Sequence, residues 1–449
     1  MVLAKSILVA LVASFGGFIV GVSLGWSGPI GSVRCIGASY VFQPSPVHWA
    51  FICSIIAVGA AIMCVPAGIM ISSFGRKPIM MGMVLPSIAG WALIISAEHL
   101  SMMYIGRLLI GMGNGGIGVA VTIYNNEVAE LHMRGMLNCF FNLMLVHGTL
   151  YAYLLNSCQD LQTYNFACGL LPLAYAGILI WVPESPVYLV QQNRNEKAKA
   201  TLQWLRGPNA NIEREMLAIA TSHQPESYST KEALRERATV RSLLAVIGLM
   251  LFQQFTGINA YVFYMKLMFN EDNYKASIQL CIIVFALAQV VAAYVTALVI
   301  QKSERKLWLF VSGLVILLAS ILLALNFQFL RTADSKWLIA SATVMYSAAH
   351  GLGVGPLVWV VMIEMFSERV LPICDAIVST FSSSSSGHGQ WALPRDYRNS
   401  SNGSLEIAFY DWTLRGTSCK CNAQQNQQQQ QKQRQQQPQA CQIKRPMPS

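Results

Sequence analysis

The sequence predicts an all-α polytopic membrane protein of about ten spans, arranged as two parallel six-helix repeats of which the second is incomplete. Three observations carry that prediction. Of 449 residues, 54% are hydrophobic and only 12% charged, too little polar surface to cover a soluble globule. Apolar stretches of about 20 residues, the length of helix that crosses a hydrocarbon core about 30 Å thick, recur along the chain. Short charged motifs of the first half return in the second at nearly one offset: SFGRK ending at Lys77 has its counterpart in KSERK ending at Lys306, and the spacing of YNNEVAELHMRG around Glu127 recurs in MIEMFSERVLP around Glu364. Parallel repeats of this kind hold substrate between the halves near mid-membrane in one large class of transporters.

Taken in order, the first apolar run, 7–26, is longer than a signal-peptide core and has no small-residue cleavage site, so it reads as a retained span over about 5–27. Spans follow at about 47–72, 79–98, 102–125, 136–157 and 163–182. In the fourth, Gly111, Gly113 and Gly116 fit a dinucleotide-binding pattern, but no strand precedes them and no ribose-binding acid follows, which predicts close helix packing instead. The segment 183–241 is polar. Within it, NRNEKAKATLQWLRG sets Ala198, Leu202 and Leu205 at helical spacing among charges, the pattern of short amphipathic helices on a membrane face or of a solvated linker. Four more spans are expected at about 242–268, 276–300, 307–329 and 338–363. The chain therefore divides into an N-terminal six-helix bundle (1–182), a linker (183–241), an incomplete C-terminal bundle (242–370) and a tail (371–449). After Val370 only a dozen mostly apolar residues precede SSSSSG, too few to span. The Ser, Asn and Gln-rich remainder, ending in NQQQQQKQRQQQPQ, has the composition of disorder.

Lys and Arg collect on alternate loops, at Arg76 and Lys77, Arg134, 183–241, and Lys302, Arg305 and Lys306, so the positive-inside rule places these loops, the N-terminus and the tail in the cytoplasm. The net charge of +10 is spread over these short clusters and forms no patch for nucleic acid. Of eleven cysteines, Cys53, Cys64, Cys139, Cys168 and Cys281 lie within apolar segments as small hydrophobes. Cys35 and Cys158 fall on the opposite side and are able to pair. The chain shows no zinc spacing, paired carboxylates, nucleophile elbow or phosphate loop, so no metal, cofactor or catalytic centre is expected. His147 and His350 are lone intramembrane histidines.

The informative residues are polar ones in apolar surroundings. An unsatisfied amide in hydrocarbon costs several kcal/mol, so Gln253, Gln254 and Asn259 must face protein or a wet cavity. At about 100° per residue the two glutamines lie on neighbouring faces and Asn259 points away, so the three converge only where the helix breaks. Gly257 permits that break. In the same way HGLGVGPLVW, with three glycines and Pro356 ahead of Trp359, interrupts the tenth span. Two discontinuous helices predict a central cavity lined by amides and an indole, a lining suited to a neutral polyol: carboxamides both donate and accept, and an aromatic face packs on the C–H face of a sugar ring.

These residues resemble the sugar porter family of the major facilitator superfamily over residues 7 to about 370. The motifs are QQFTGIN, GRK after the second span, GR at 106–107, Y-x-x-E and RG across 124–135, PESP at 183–186, and GVGPLVW with Glu364. GWSGP at 25–29 and LQWLRG at 202–207 are most similar to the facilitated trehalose transporter branch. The resemblance implies that Gln253, Gln254 and Asn259 bind sugar hydroxyls, that Trp359 and Gly355 line the other side, that Gln289 is a polar site residue, and that Asn142 stands where the family has a longer Gln. It implies an outer gate of Phe263 and Tyr264, with Gly257 and Pro356 permitting movement. It also implies a cytoplasmic ion-pair network of Arg76, Glu127, Arg134 and Glu184 with Arg305 and Glu364. Proton-coupled members carry an aspartate in the first span, where Ser27 stands here, which favours uniport. After Glu364 the pattern decays: Ser367 replaces a proline, Leu371 an arginine and Pro372 a glycine. The expected function is facilitative transport of trehalose or a hexose across a membrane, the plasma membrane first. A proton-coupled symporter and a truncated, non-transporting porter or sugar sensor are the alternatives.

Overall fold

The computed structural model describes residues 3–30, 40, 42, 44–158, 160–207, 210–222, 234–259, 261–263, 278–300, 304–326, 336–366 and 370–399, and every regular element among them is helical. The described part of each of the ten expected spans is mainly helical, and eight helices among the described residues are long and apolar enough to cross a membrane. The N-terminal bundle contains α1 (Leu3–Gly25), α2 (Pro46–Phe74), α3 (Arg76–Ile95), α4 (Leu100–Val128), α5 (Arg134–Cys158) and α6 (Leu161–Leu179). The linker holds α7 (Pro186–Gln191), α8 (Asn195–Arg206) and α9 (Ile212–Ser222). The C-terminal bundle contains α10 (Arg237–Phe255), α11 (Ile278–Val299), α12 (Arg305–Leu325), α13 (Lys336–Leu352) and α14 (Val354–Met365), the last two together forming the tenth span.

Local chemistry sets the helix starts. Ser45 caps α2 by accepting from the His48 N–H, with Pro46 at the first helical position, and Ser185 with Pro186 repeats the device for α7. Small residues then bring α4 into contact with both neighbours. A Cβ on Gly111 or Gly115 would lie 2.1 Å from the Ile56 carbonyl or 2.4 Å from that of Ala60 on α2, while Gly113 and Gly116 meet Ser87 and Met83 on α3. The GMGNGG pattern is a packing motif.

Both predicted breaks are present. α10 stops at Phe255, Thr256 and Gly257 turn, and residues 258–259 and 261–263 are again helical. Gly257 has φ +84°, a conformation that costs any L side chain about 1–2 kcal/mol. The tenth span breaks at Gly353, and Pro356 sits in the first turn of α14, where its missing N–H has no intrahelical partner to lose.

The linker is docked. Ala198, Leu202 and Leu205 are fully buried, and Arg206 Nη1 donates to Ser6 Oγ of α1 (3.0 Å) and to the Val128 carbonyl of α4 (2.9 Å) while Nη2 pairs with Glu215 at 2.8 Å. The described part of the segment thus forms short helices that pack against α1 and α4.

One boundary is corrected. The polar tail was expected to begin at residue 371, leaving the eleventh span absent, yet Leu371–Asn399 forms a helix, α15, about 44 Å long at 1.5 Å per residue and so long enough to span. Hydrophobicity alone misses it because polar residues interrupt its apolar stripe, two of them bonded within the helix: Ser379 Oγ donates to Asp375, and Thr380 Oγ1 to the Ala376 carbonyl. Leu371, Cys374, Ala376 and Val378 bury an apolar stripe between α2 and α10. The remainder of the expected tail, 400–449, lies outside the described residues.

The two bundles meet along two seams, α5 with α11 and α2 with α15. At the second, a Cβ on Gly68 would stand 2.7 Å from the Ala376 Cβ and 2.8 Å from the Pro372 carbonyl. Replacing Gly257 with Ala is expected to lower stability by about 1–2 kcal/mol, and Asn there to lower it less. Thermal melting of the detergent-solubilised protein measures both.

Candidate functional site

A cavity of about 220 Å³ lies between the bundles, bounded by α1, α2, α4 and α5 on one side and by α10, α11, α13, α14 and α15 on the other. Since about 10–15 Å³ of this measure holds one water, it has room for several, and its amide and hydroxyl lining can keep them. Gln253, Gln254, Asn259, Gln289, Trp359 and Asn142 all line it. Gly355 is set behind the wall and takes part through its carbonyl.

The break at Gly257 does what the unbroken helix could not. Asn259 Nδ2 donates to Gln254 Oε1 at 2.5 Å, and Gln254 Nε2 donates on to Ser382 Oγ of α15 at 2.7 Å, a chain of polar groups along one wall. Gln253 lies behind it. Its Nε2 donates to the carbonyls of Val354 (3.0 Å) and Gly355 (3.1 Å) at the start of α14, and its buried Oε1 has no hydrogen-bond partner. A buried amide oxygen without a partner is costly, and a hydrogen-bond donor reaching it would relieve that cost. Gln289 Nε2 stands 3.3 Å from His350 Nδ1, and both residues reach the cavity.

Several lining groups have no place in the sequence reading. His350 contacts Gln289. From α15 come Ser379, Ser382, Ser383 and Ser386, and at the root of that helix the buried Asp375 accepts from Thr122 Oγ1 of α4 (2.9 Å) and from Ser379 Oγ (3.2 Å). The available signal was spacing: in DAIVSTFSSSSS, Asp375, Ser379, Ser382 and Ser386 recur every three or four residues on one helical face.

Away from Asp375, toward the other end of the bundle, the halves meet again. Tyr153 Oη of α5 donates to the Val262 carbonyl at 2.9 Å, and Gln279 Nε2 donates to the Tyr153 carbonyl at 3.1 Å. Phe263 is fully buried beside this contact. Tyr264, its expected gate partner, lies outside the described residues, as does Cys35.

The charged residues form two clusters at the basic end. In the N-terminal bundle Arg76 Nη2 pairs with Glu127 Oε1 at 2.5 Å, Ser185 Oγ donates to Glu127 Oε2, and Glu184 Oε1 accepts backbone N–H groups from Arg76, Lys77 and Ser185. Burial pushes the Glu184 carboxyl above its ordinary range, against those donors and the nearby Arg76 charge. The left-handed Gly75 (φ +98°) makes room there: a Cβ on it would stand 2.6 Å from Glu184 Oε2. In the C-terminal bundle Arg305 Nη2 pairs with Glu364 at 2.7 Å, and a Cβ on Gly135 at the start of α5 would lie 3.5 Å from the same Nη2. Arg134 precedes Gly135 at that end.

Comparison with known proteins agrees with this architecture. The family model described as "Sugar (and other) transporter" matches residues 9–394. The facilitated trehalose transporter Tret1 of Anopheles gambiae is 27% identical over 384 residues, covering 84% of this chain, which spans about half (48%) of that relative's length. Tret1 of Bombyx mori is also 27% identical, with 75% of its length covered. Glucose transporter type 3 of Drosophila melanogaster is 27% identical over 379 residues, covering 83% of this chain and 74% of its own. Among solved structures, the proton:xylose symporter XylE bound to 6-bromo-6-deoxy-D-glucose superposes with TM-score 0.78 at 18% identity over 92% of this chain and 94% of the other, and a partially occluded inward open form of XylE from E. coli with TM-score 0.74 at 19% identity over 92% and 96%. At that identity the likeness shows the fold.

The two ion-pair clusters are expected to differ in weight. The Arg76 and Glu127 side chains are only 3% and 9% exposed, so Arg76→Ala, which leaves a buried carboxylate unpaired, is expected to cost about 3–5 kcal/mol. Arg305 and Glu364 are 38% and 35% exposed, and Arg305→Ala is expected to cost about 0–1 kcal/mol. Melting midpoints of the two purified variants decide this.

Proposed function

The chain belongs to the sugar transporter family of the major facilitator fold, and from that membership we propose that it carries a neutral sugar, trehalose or a hexose, across a membrane as a facilitative uniporter. The observation that carries the proposal is the polar wall running from Asn259 through Gln254 to Ser382, with the unpartnered Gln253 Oε1 behind it, facing a cavity between two repeats. In this reading Gln253, Gln254, Asn259 and Gln289 bind sugar hydroxyls, Asn142 adds a shorter contact from the opposite half, and Trp359 offers its ring to the sugar's C–H face. Gly355 holds Gln253 in place.

Alternating access follows from hydrogen bonds that join the halves at either end of the cavity. Thr122 with Asp375 closes one end, and Tyr153 with Val262, backed by Phe263, closes the other. The turns at Gly257 and Gly353–Pro356 let the inner faces of α10 and α14 move without unwinding the rest of each helix. The cluster of Arg76, Glu127, Arg134 and Glu184 with Arg305 and Glu364 lies on the cytoplasmic side by the positive-inside rule and biases the equilibrium toward the state closed there. The membrane is the plasma membrane, the partners are a sugar and the lipid bilayer, and no nucleic acid is involved.

Uniport is favoured because α1 contains no acid and Ser27 stands at the position of the aspartate of proton-coupled members. One observation favours a second reading, proton-coupled symport: Asp375, a carboxylic acid in hydrogen-bond contact with Thr122 and Ser379, both of which line the cavity.

Uptake of radiolabelled trehalose and glucose into proteoliposomes, with a trapped pH indicator, tests these readings. Saturable flux without proton entry is expected. Acidification accompanying uptake, and lost in Asp375→Asn, establishes the symporter, whereas sugar binding without flux establishes a sensor. Gln253→Ala and Asn259→Ala are each expected to weaken sugar binding about tenfold, the equivalent of one or two hydrogen bonds.

A further inference from the structure

Three buried polar atoms in the N-terminal bundle have no hydrogen-bond partner: Arg107 Nη2, Trp49 Nε1 and Ser27 Oγ. Their residues are 0%, 2% and 0% exposed. All three residues gather about one ring, that of Trp26. The Arg107 guanidinium carbon stands over it at 5.0 Å, the Trp49 ring centroid is 5.9 Å from its own, and Ser27 is the next residue in the chain. Trp49 lies one turn before Ile52 on α2, and the Ile52 carbonyl accepts from Arg107 Nε at 3.3 Å, so the indole and the guanidinium's anchor share one helix face.

The charge balance here is unusual. Arg107 Nη1 donates to the Ser23 carbonyl at 2.7 Å, so every partner it has is a neutral backbone oxygen. The titratable groups that act on it, among the described residues, are a thiol and a phenol, Cys53 and Tyr164, and no carboxylate. A guanidinium does not shed its proton, and a buried cation without a counter-charge is among the costliest arrangements in a protein. Guanidinium and indole N–H groups only donate, and a hydroxyl can donate as well. A species that accepts from all three and carries negative charge satisfies both demands, whereas water satisfies only the first.

We propose that Arg107, Trp49 and Ser27 form a binding site for a small monovalent anion of the halide class, chloride in physiological media. The site is separate from the sugar cavity and does not depend on what that cavity carries. It lies seven residues, about 10 Å, along α4 from Asn114, which lines the cavity. Ser23 joins the two places, since its carbonyl accepts from Arg107 and its hydroxyl accepts from Asn114 Nδ2 at 2.6 Å. The anion fixes the guanidinium, and through Ser23 it fixes the α1 wall of the cavity.

The test needs no transport assay. The purified protein is melted in potassium gluconate and in potassium chloride or bromide at equal ionic strength. A saturable rise of a few degrees in halide is expected, together with an anomalous scattering peak for bromide between Arg107 and Trp49. Trp49→Phe combined with Ser27→Ala removes two donors while leaving the cation in place, and is expected to weaken the halide response at least tenfold in concentration. Arg107→Gln should abolish it. An identical melting point in gluconate and halide, a response unchanged in the double variant, bromide located elsewhere, or density at the site that fits an ordered water only would each overturn the proposal.

Discussion

The contact on which the central site depends is the amide of Gln253 held against the two carbonyls that open α14. In hydrocarbon every backbone group needs an internal partner, and a broken helix leaves several without one. The break at Gly353 leaves carbonyls at the end of α13 and N–H groups at the start of α14 without intrahelical partners. Thr296 Oγ1 of α11 lies within hydrogen-bond reach of the Gly351 (3.1 Å) and Leu352 (2.8 Å) carbonyls, and the Gln253 nitrogen from α10 adds a contact to the Val354 and Gly355 carbonyls just past the break. Its oxygen is buried without a hydrogen-bond partner. Gln253 thus ties α10 to the first turn of α14 beside the break.

The packing around it gives each bundle its own rigidity. Glycines let α2, α3 and α4 touch backbone to backbone, the linker helices are bound to the N-terminal bundle through Arg206, and the Arg76 cluster ties α3 and α4 to the chain entering the linker. Contacts between the bundles comprise hydrogen bonds at each end of the cavity and two helix seams, of which α2 with α15 is closely packed through Gly68.

Much of this was legible in the sequence. Ten helices follow from hydropathy, and both breaks follow from Gly257 and from the Gly353 to Pro356 stretch. The convergence of Asn259 on Gln254 follows from the geometric argument that the helix must break for them to meet. What escaped is α15. Its apolar residues are sparse, and a serine run reads as linker when each hydroxyl is counted as needing water. In the fold Ser379 and Thr380 bond back to their own helix, Ser382 accepts from Gln254, and Asp375 finds Thr122 across the seam. Arg107 escaped for a similar reason: it appeared in the sequence only as half of a short motif, and nothing in the surrounding residues announced that a full charge would be sealed in without an acid.

The linked amides of Asn259 and Gln254 have one more implication. Each amide carries two N–H donors and an oxygen with two lone pairs, and this chain of bonds uses only part of that capacity, so an incoming hydroxyl binds beside an existing bond or trades places with one. The exchange is close to thermoneutral at each step, which leaves a shallow energy well. A carrier is better served by such a well than by a deep one, because cargo that is gripped hard is cargo that is never let go.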